Sequence, residues 1–168
     1  MDDIKTDRLL LCHLTTADAP FIFELLNTPG WLQFIGDRGI KSEEDAINYI
    51  LNGPVKSYAE NGFGLMLVKL KDDGTPLGIC GLIRRPALDD VDIGFAFLER
   101  HTGKGYAAEA ASATLNYGWQ VLGLKRIVAI TTADNLHSIR LLEKTGMHFE
   151  KKMFMVGDAE ELLLFAIP

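Results

Sequence analysis

The sequence is poor in cysteine and has no long uninterrupted apolar run. Cys12 and Cys80 are the two cysteines among 168 residues, and both lie inside short apolar stretches, which favours buried thiols in a reducing compartment over a disulfide. A membrane-spanning helix needs about 20 consecutive apolar residues, and no run approaches that length. The opening residues MDDIKTDRLL lack the basic start and apolar segment of a signal peptide. We therefore expect a cytoplasmic protein that does not cross a membrane.

Positive charge is also scarce. The chain has 17 Lys and Arg against 23 Asp and Glu, a net charge of −6. Nucleic-acid-binding domains need a basic surface, so this balance argues against a general nucleic-acid binder while it leaves room for a local basic pocket. No internal repeat or low-complexity segment occurs, and the length suits one domain with a sizeable core. Residues 1–168 are expected to form that single domain.

What the sequence does contain is a succession of strand and helix patterns. Short or alternating apolar runs predict strands over 8–14, 63–71, 76–85, 91–98, 126–132, 147–155 and 161–167. Helical spacing predicts helices over 15–27, from Ser42 to a break or kink at Gly53-Pro54, over 106–122 and over 133–146. Thr15 and Asp18 have capping-box spacing at the start of the first helix, and Pro29-Gly30 is expected to end it. The order is a β-meander, one β-α-β crossover, a short helix and two strands. It predicts an α/β (mixed α+β) fold with a partly antiparallel sheet flanked by helices.

The stretch FLERHTGKGYAAEAA, residues 97–111, joins a predicted strand to a predicted helix through a glycine-rich turn. Free N–H groups and the dipole at a helix N-terminus favour a phosphate there, and Arg100, His101 and Lys104 add cationic side chains. The alternative is a tight connection that uses glycine only for its shape.

The same turn also has the spacing of a dinucleotide fingerprint. Gly103, Gly105 and Ala108 fit G-x-G-x-x-A, but a Rossmann loop follows the first strand of a repeated β-α-β unit, and this loop follows a meander. The P-loop pattern G-x-x-x-x-G-K-[ST] is absent from the sequence. A nicotinamide-dependent redox enzyme therefore remains only as a weaker hypothesis.

Several stretches together resemble one family. RHTGKGYA matches the R/Q-x-x-G-x-G/A loop of the GNAT N-acetyltransferases, VDIGFAFL resembles the strand before that loop, and AAEAA resembles the start of the helix after it. NLHSIRLLEKTGM and TDRLLLCHLTTADA are similar to two signatures of the branch that includes ribosomal-protein alanine acetyltransferases. The resemblance implies a GNAT-like fold with its β-α-β crossover at the acyl-CoA site. It also implies direct transfer of the acetyl group of acetyl-CoA to a primary amine, on a peptide N-terminus or a small molecule, in a ternary complex.

The resemblance further implies the residues that hold acetyl-CoA. The strand before the loop would polarise the thioester through a backbone N–H, the loop would bind the pyrophosphate, and Asn135 would bond the pantetheine arm. The expected coenzyme-binding residues are Phe95, Ala96, Phe97, Arg100, His101, Thr102, Gly103, Lys104, Gly105, Tyr106, Ala107, Asn135, Ser138 and Lys144. For Asn135 and Ser138, capping of the helix that follows is the alternative.

Two residues are expected to act in catalysis. Leu142 stands where many family members carry a Tyr that protonates the leaving thiolate, so Ser138 is expected to donate a hydrogen bond to the sulfur instead. Asp92 matches the branch's acidic position, on the strand face shared with Gly94 and Ala96, and would accept a proton from the amine through a water or attract the ammonium. The alternative for Asp92 is a solvated aspartate. The absent Tyr also leaves open a non-catalytic acyl-CoA-binding or regulatory domain.

The acceptor is the least determined part of the sequence-based hypothesis. Residues 29–40 are expected to cover its site, with Trp31, Phe34, Tyr49 and Tyr58 either lining it or packing in the core. The net negative charge suits a cationic amine. The histidines show no metal-binding spacing, so no metal is expected. A homodimer through the last strands is compatible with the pattern.

Overall fold

The computed structural model describes residues 2–155 and 159–167. Within them, one sheet has the order β1-β2-β3-β4-β5-β6-β8-β7. Its strands are β1 (Ile4–Lys5), β2 (Leu9–His13), β3 (Leu65–Leu70), β4 (Pro76–Ile83), β5 (Asp92–Phe97), β6 (Ile127–Thr132), β7 (His148–Met153) and β8 (Leu162–Ile167). Strands β1 to β5 form an antiparallel meander, β5 and β6 are parallel, and β6, β8 and β7 are antiparallel. The predicted mixed, partly antiparallel sheet is confirmed.

The helices of the described residues are α1 (Ala19–Leu26), α2 (Pro29–Phe34), α3 (Glu43–Ile50), α4 (Lys56–Asn61), α5 (Tyr106–Gln120) and α6 (Leu136–Lys144). None of them is long and apolar enough to cross a membrane. Thr15 and Asp18 form the expected capping box before α1, and the Ser42 side chain accepts a hydrogen bond from the Asp45 N–H at the start of α3.

Two predicted helix ends are confirmed, but after each of them the chain forms a further helix that the sequence did not predict. Pro29 does not only follow α1; it opens α2, because proline suits the first turn of a helix, where its missing N–H would have no partner. The interruption predicted at Gly53-Pro54 is confirmed, because α3 ends at Ile50. The chain continues through one π-helical turn, Leu51–Val55, into α4, and such turns accommodate a proline by widening the hydrogen-bond ladder.

Apolar side chains pack on both faces of the sheet, as the alternation along β5 requires. Ile93 belongs to the core that α5 covers with Ala110 and Leu115. Ala96 packs on the opposite core, which contains Ile22 and further residues of α1 and α3. Strand β5 is therefore packed on both faces, and a ligand can reach it where the sheet itself opens.

That opening lies between β5 and β6. The register of these two strands contains a single residue pair, Asp92 with Val128, next to the bond from the Val128 N–H to the Val91 carbonyl (3.0 Å). On its other edge β5 pairs with β4 along its whole length. Beyond Asp92, β5 and β6 diverge, and the β5 edge that faces β6 is left free for a ligand.

Candidate active site

A cavity of about 1720 Å³ lies at the divergence of β5 and β6. Sites for one small molecule are usually about 300–1,000 Å³, so this one has room for a long ligand and a second molecule. We call its lining residues within 95–108, 129–131 and 135–144 the loop arm. Its lining residues within 31–38, 49–53 and 83–92 are called the arginine arm, after Arg38, Arg84 and Arg85.

The loop arm contains nearly all of the residues expected to bind a coenzyme. Those on the cavity wall are Phe95, Ala96, Phe97, Arg100, His101, Thr102, Gly103, Gly105, Tyr106, Ala107, Asn135, Ser138 and Lys144. Lys104 is exposed and is not part of the wall. Gly103 and Gly105 have φ of +81° and +82°, a conformation that favours glycine, and Gly105 is the N-cap of α5. The free N–H groups of the α5 N-terminus therefore lie beside the cavity.

The cationic side chains of this loop are not equally free. Arg100 forms a salt bridge with Glu24 of α1 (3.2 Å), so its charge is shared. Burial lowers the pKa of His101, and the charges of Arg100 and Lys104 lower it further, against an opposing effect of Glu24. The Nε2 atom of His101 is buried and has no hydrogen-bond partner among the described residues. His101 is thus a neutral group whose ring nitrogen is available to a ligand.

Two residues that the sequence reasoning missed hold the loop in place. The Nη1 of Arg8 donates to the Lys104 carbonyl (2.9 Å), and its Nε donates to Glu109 Oε1 (2.7 Å). The Arg8 guanidinium also lies 4.5 Å from the centre of the Tyr106 ring. Glu109 Oε2 accepts from the Arg8 N–H (3.0 Å) and from the Thr6 hydroxyl (2.5 Å). We call this the Arg8–Glu109 clamp.

The clamp is electrostatically well satisfied. Burial by itself would raise the pKa of Glu109, but the hydrogen bonds from Thr6 and Arg8 outweigh it, and the net shift is downward. Both residues occur inside the stretches TDRLL and AAEAA that carried the family resemblance, but their partnership spans 101 positions. The spacing of residues along the chain therefore does not predict the Arg8–Glu109 pair.

Helix α6 presents the remaining predicted residues of the loop arm. The Asn135 side chain accepts a hydrogen bond from the Ser138 N–H (3.2 Å), so the capping interpretation of Asn135 is confirmed. Ser138 is half-buried on the cavity wall, and its hydroxyl has no hydrogen bond to the residues described here. Leu142 is buried beside it on the same wall. Within α6, the hydroxyl that faces this part of the cavity is therefore that of Ser138.

Asp92 lies where the two arms meet. Its side chain is 1% exposed, so the interpretation as a solvated aspartate was wrong. Both carboxylate oxygens lie 3.1 Å from the Nε of Arg85. Burial raises the pKa of Asp92, and Arg85 opposes that shift through its charge and its hydrogen bonds. Asp92 is a buried carboxylate, held by one guanidinium, on the wall of the cavity.

The aromatic residues expected near the acceptor separate into two groups. Trp31, Phe34 and Tyr49 line the arginine arm. Tyr58 does not: it donates to the Leu65 carbonyl, accepts from the Leu14 N–H (3.1 Å) and stacks on His13, which makes it a core residue. In the described ranges, 2–155 and 159–167, no group of three or more His, Cys, Asp or Glu is placed to hold a metal ion.

The comparison with known proteins identifies the family. Residues 8–148 match the model of the Acetyltransferase (GNAT) domain. The chain belongs to the GNAT family. This membership confirms the resemblance and overturns the nicotinamide hypothesis, because GNAT enzymes use acetyl-CoA and an amine acceptor. The GNAT protein described here is an acyl-CoA-dependent N-acetyltransferase.

Relatives cover most of this GNAT chain. Protein YkkB of Bacillus subtilis (strain 168) is 32% identical over 88% of this chain and 86% of its own length. The N-acetyltransferase YnaD of the same organism is 29% identical over 88% of this chain and 83% of its own. The structure of RimL, a ribosomal alpha-N-protein acetyltransferase in complex with coenzyme A, has a TM-score of 0.82, with 99% of this chain and 97% of that chain covered at 16% identity. At that identity RimL shows the shared fold.

Proposed function

We propose that acetyl-CoA binds in the loop arm and a primary amine in the arginine arm, in one ternary complex, with residues 1–168 acting as a single acetyltransferase domain. The observation that carries this proposal is the shared cavity, which joins the free amides of the α5 N-terminus, Ser138 and Asp92. An anion site, a hydroxyl donor and a buried carboxylate are the groups that acetyl transfer to an amine requires.

The reaction sets the roles of these groups. The neutral amine nitrogen attacks the thioester carbonyl carbon; a C–N bond forms, and the C–S bond breaks. The coenzyme leaves as a thiolate and takes up a proton, and the amine loses its protons to a base. The catalyst must deprotonate the ammonium, stabilise negative charge on the carbonyl oxygen and stabilise the thiolate.

On the donor side, the N–H groups at Gly103 to Ala107 bind the pyrophosphate, and the free edge of β5 at Phe95 to Phe97 bonds the pantetheine arm and the thioester oxygen. Lys144 adds positive charge toward the phosphates, and the free ring nitrogen of His101 is available to them. The side-chain amide of Asn135 bonds pantetheine while its oxygen caps α6. The Ser138 hydroxyl donates to the departing sulfur, since Leu142 has no proton to give.

On the acceptor side, Asp92 receives the proton of the ammonium through a water. Burial raises its pKa, and a raised carboxylate pKa brings a general base closer to the pH at which it works. Arg85 keeps a sufficient fraction of Asp92 ionised, because the ion pair favours the charged form. A solvent-exposed aspartate would be a weaker base in this position.

The test is a free-thiol release assay with acetyl-CoA over a panel of amines and peptides. Turnover with at least one amine is expected, and Ser138→Ala should lower kcat about tenfold or more while it leaves the Kd of acetyl-CoA within about twofold, as a transition-state contact requires. Leu136→Ala, an exposed change on the same helix, is the control. Acetyl-CoA that fails to raise the Tm at concentrations far above micromolar would refute the proposal.

We also infer a cytoplasmic location and a homodimer. Both cysteines are free thiols, which supports a reducing compartment. Strand β7 is an edge strand and carries the exposed Phe149, a surface suited to self-association. Sedimentation equilibrium tests the dimer, and a monomer at all concentrations would refute it.

A further inference from the structure

We propose that the acceptor is an amino acid: an amine with a carboxylate only a few bonds away, bound by Arg38 and Arg85 in the arginine arm. This inference rests on the proposed function and names the chemical class of its acceptor. It departs from the purely cationic amine that the net charge suggested. The observations that carry it are the unpaired guanidinium groups of this arm and their arrangement around Asp92 and Tyr49.

The charges on the cavity wall are the first observation. The acidic residues of the wall are Glu24, Glu60, Asp92 and Glu99. Glu24 pairs with Arg100, Glu60 pairs with Lys56, and Asp92 pairs with Arg85; Glu99 belongs to the loop that follows β5. Arg38 and Arg84 have no hydrogen bond or ion pair among the described residues. In a chain with net charge −6, the arginine arm is a local excess of positive charge.

The donors left free on Arg85 are the second observation. Asp92 uses only its Nε, and no described residue bonds Nη1 or Nη2. The Arg85 side chain is 33% exposed, so these two nitrogens are open to the cavity that the residue lines. Paired guanidinium N–H groups match the two oxygens of a carboxylate.

The third observation is that Arg38 and Arg85 line the same cavity wall as one half-buried hydroxyl, that of Tyr49. Burial raises the pKa of Tyr49, and both arginines lie near enough to oppose that shift. Arg38 follows α2 and Arg85 follows β4, so two separate segments bring positive charge to the surroundings of Tyr49. Tyr49 adds a neutral hydroxyl donor beside them.

A side pocket at this point supplies room for the rest of the molecule. A second cavity of about 360 Å³ shares Arg38, Tyr49, Asn52 and Gly53 with the main one. Asn52 and Gly53 belong to the π-helical turn, and such turns are frequent at functional sites. The pocket is lined by Asn48 and Asp45 as well, which suits a polar side chain.

The Arg85–Asp92 pair complements an amino acid as a whole. The carboxylate of Asp92 faces the ammonium, and the adjacent guanidinium faces the ligand carboxylate, so the two opposite charges of the ligand meet a pair of opposite charges 3.1 Å apart. A long polyamine presents no anion to Arg38 and Arg85, and burying it there would bring like charges together.

The test uses matched acceptors that differ only in the carboxylate. Each of the common L-amino acids, and β-alanine, is compared with its carboxamide in the thiol release assay with acetyl-CoA. We expect at least one acid to have a kcat/KM about tenfold or more above that of its amide, because one charge-assisted hydrogen bond is worth at least that factor.

Substitutions in the arginine arm test whether this arm causes the preference for the acid over the amide. Arg38→Gln should remove about tenfold in kcat/KM for the acid and leave the amide within about twofold; Arg38 is exposed and has no described partner, so the fold is not at risk. Lys41→Gln, an exposed cation three positions on and outside the cavity wall, is the control and should change neither. Arg85→Lys keeps the charge beside Asp92. It should still reduce the preference for the acid over the amide, because an ammonium lacks the paired N–H groups with which a guanidinium binds both carboxylate oxygens.

The outcomes separate this inference from the proposed function. Equal rates for acids and amides, or better turnover of peptide amides or polyamines than of every amino acid, would overturn the inference and leave acetyl transfer intact. Where acetyl-CoA binds but turnover is undetectable, calorimetric titration of the same acids and amides into the coenzyme-A-loaded protein decides it: binding of neither class, or of both equally, also overturns it. Absence of acetyl-CoA binding would instead refute the proposed function.

Discussion

The two arms of the cavity are built in opposite ways. The loop arm is held by bonds within the protein: the Arg8–Glu109 clamp fixes its loop. Arg100 bonds Glu24, Thr102 bonds the Glu99 carbonyl, and Asn135 bonds the Ser138 N–H. In the arginine arm, Arg38, Arg84 and the terminal nitrogens of Arg85 have no partner among residues 2–155 and 159–167. The first arm offers mainly backbone groups on an internally bonded loop, together with His101 and Ser138, and the second offers mainly free side chains.

The difference corresponds to what each arm is proposed to bind. A site that presents backbone N–H groups depends on the shape of its loop, and internal bonds that fix this shape reduce the entropy lost on binding. In a site that presents side chains, a single substitution can change which ligand is bound. The pair of arms therefore predicts that variants of the clamp alter the donor alone and variants of the arginine arm alter the acceptor alone.

The largest effect is expected where the arms meet, at Asp92. Asp92→Asn should lower kcat about 100-fold, the usual contribution of a general base. In the wild type, the base works when ionised, so kcat should fall as the pH falls through the pKa of Asp92, which burial has raised. In the variant, this acidic limb should be absent from the pH–rate profile. The measurement is kcat against pH for both proteins.

A matched control lies two positions before Asp92 in the sequence. Asp90 is a partly exposed carboxylate that bonds Arg126 (3.0 Å) and does not line the cavity, so Asp90→Asn should retain kcat and the acidic limb. An acidic limb that persists unchanged in Asp92→Asn would show that another group is the base.

A second prediction concerns the clamp and the donor. Glu109→Ala removes the acceptor of three hydrogen bonds, from Thr6 and from Nε and the N–H of Arg8, and releases the guanidinium that holds the Lys104 carbonyl. The Kd of acetyl-CoA should rise about tenfold or more, the value of a charge-assisted bond, while the KM of the amine stays within about twofold. Calorimetric titration and initial rates measure the two constants.

Glu143→Ala is the control for that experiment, because Glu143 is an exposed acidic residue on α6 and does not line the cavity. Glu109→Gln should recover part of the affinity, since an amide oxygen still accepts from Arg8. A rise in the amine KM as large as the rise in the coenzyme Kd would contradict the separation of the arms.

The same contrast explains how much the sequence could predict. The loop arm is encoded locally: two glycines with positive φ, a strand before them and a helix after them lie within 15 consecutive residues, as do Asn135, Ser138 and Leu142 on one short helix. The arginine arm combines segments around Trp31, Tyr49 and Arg85 that meet only in the folded chain. Strand alternation placed Asp92 on the correct face, but it could not reveal the partner that buries it.

Helix signals, too, could be predicted only where the residues that form them are close in the sequence. The capping box at Thr15 was correct because both of its residues are three positions apart. The end of α1 before Pro29 was also correct, but α2 was missed, because proline suits the first turn of a helix as well as a position after its end. The clamp was missed because Arg8 and Glu109 are far apart in the chain, and each of them alone is typical of an ordinary surface charge.

A third prediction separates two tyrosines that the sequence could not distinguish. Tyr58→Phe leaves the Leu14 N–H and the Leu65 carbonyl without their partner, so it should lower the free energy of unfolding by about 1–3 kcal/mol and leave the kinetic constants unchanged. Tyr49→Phe should have the reverse effect, a severalfold rise in the amine KM with little change in stability. Denaturant unfolding and initial rates test both, and a loss of amine affinity in Tyr58→Phe would contradict its assignment to the core.

The smallest effect is expected from His101, and it tests whether the loop arm has any group still free to respond to a ligand. Burial and the nearby Arg100 and Lys104 lower the pKa of His101 in the free protein, so the ring is neutral near pH 7. A bound phosphate favours the protonated ring and raises that pKa. Between the two pKa values, binding of acetyl-CoA takes up a proton, and its affinity should rise a few-fold as the pH falls through this interval. Titration calorimetry in buffers of different ionisation enthalpy measures the proton, and His101→Gln should abolish its uptake. Uptake that persists in the variant would assign the proton to another group.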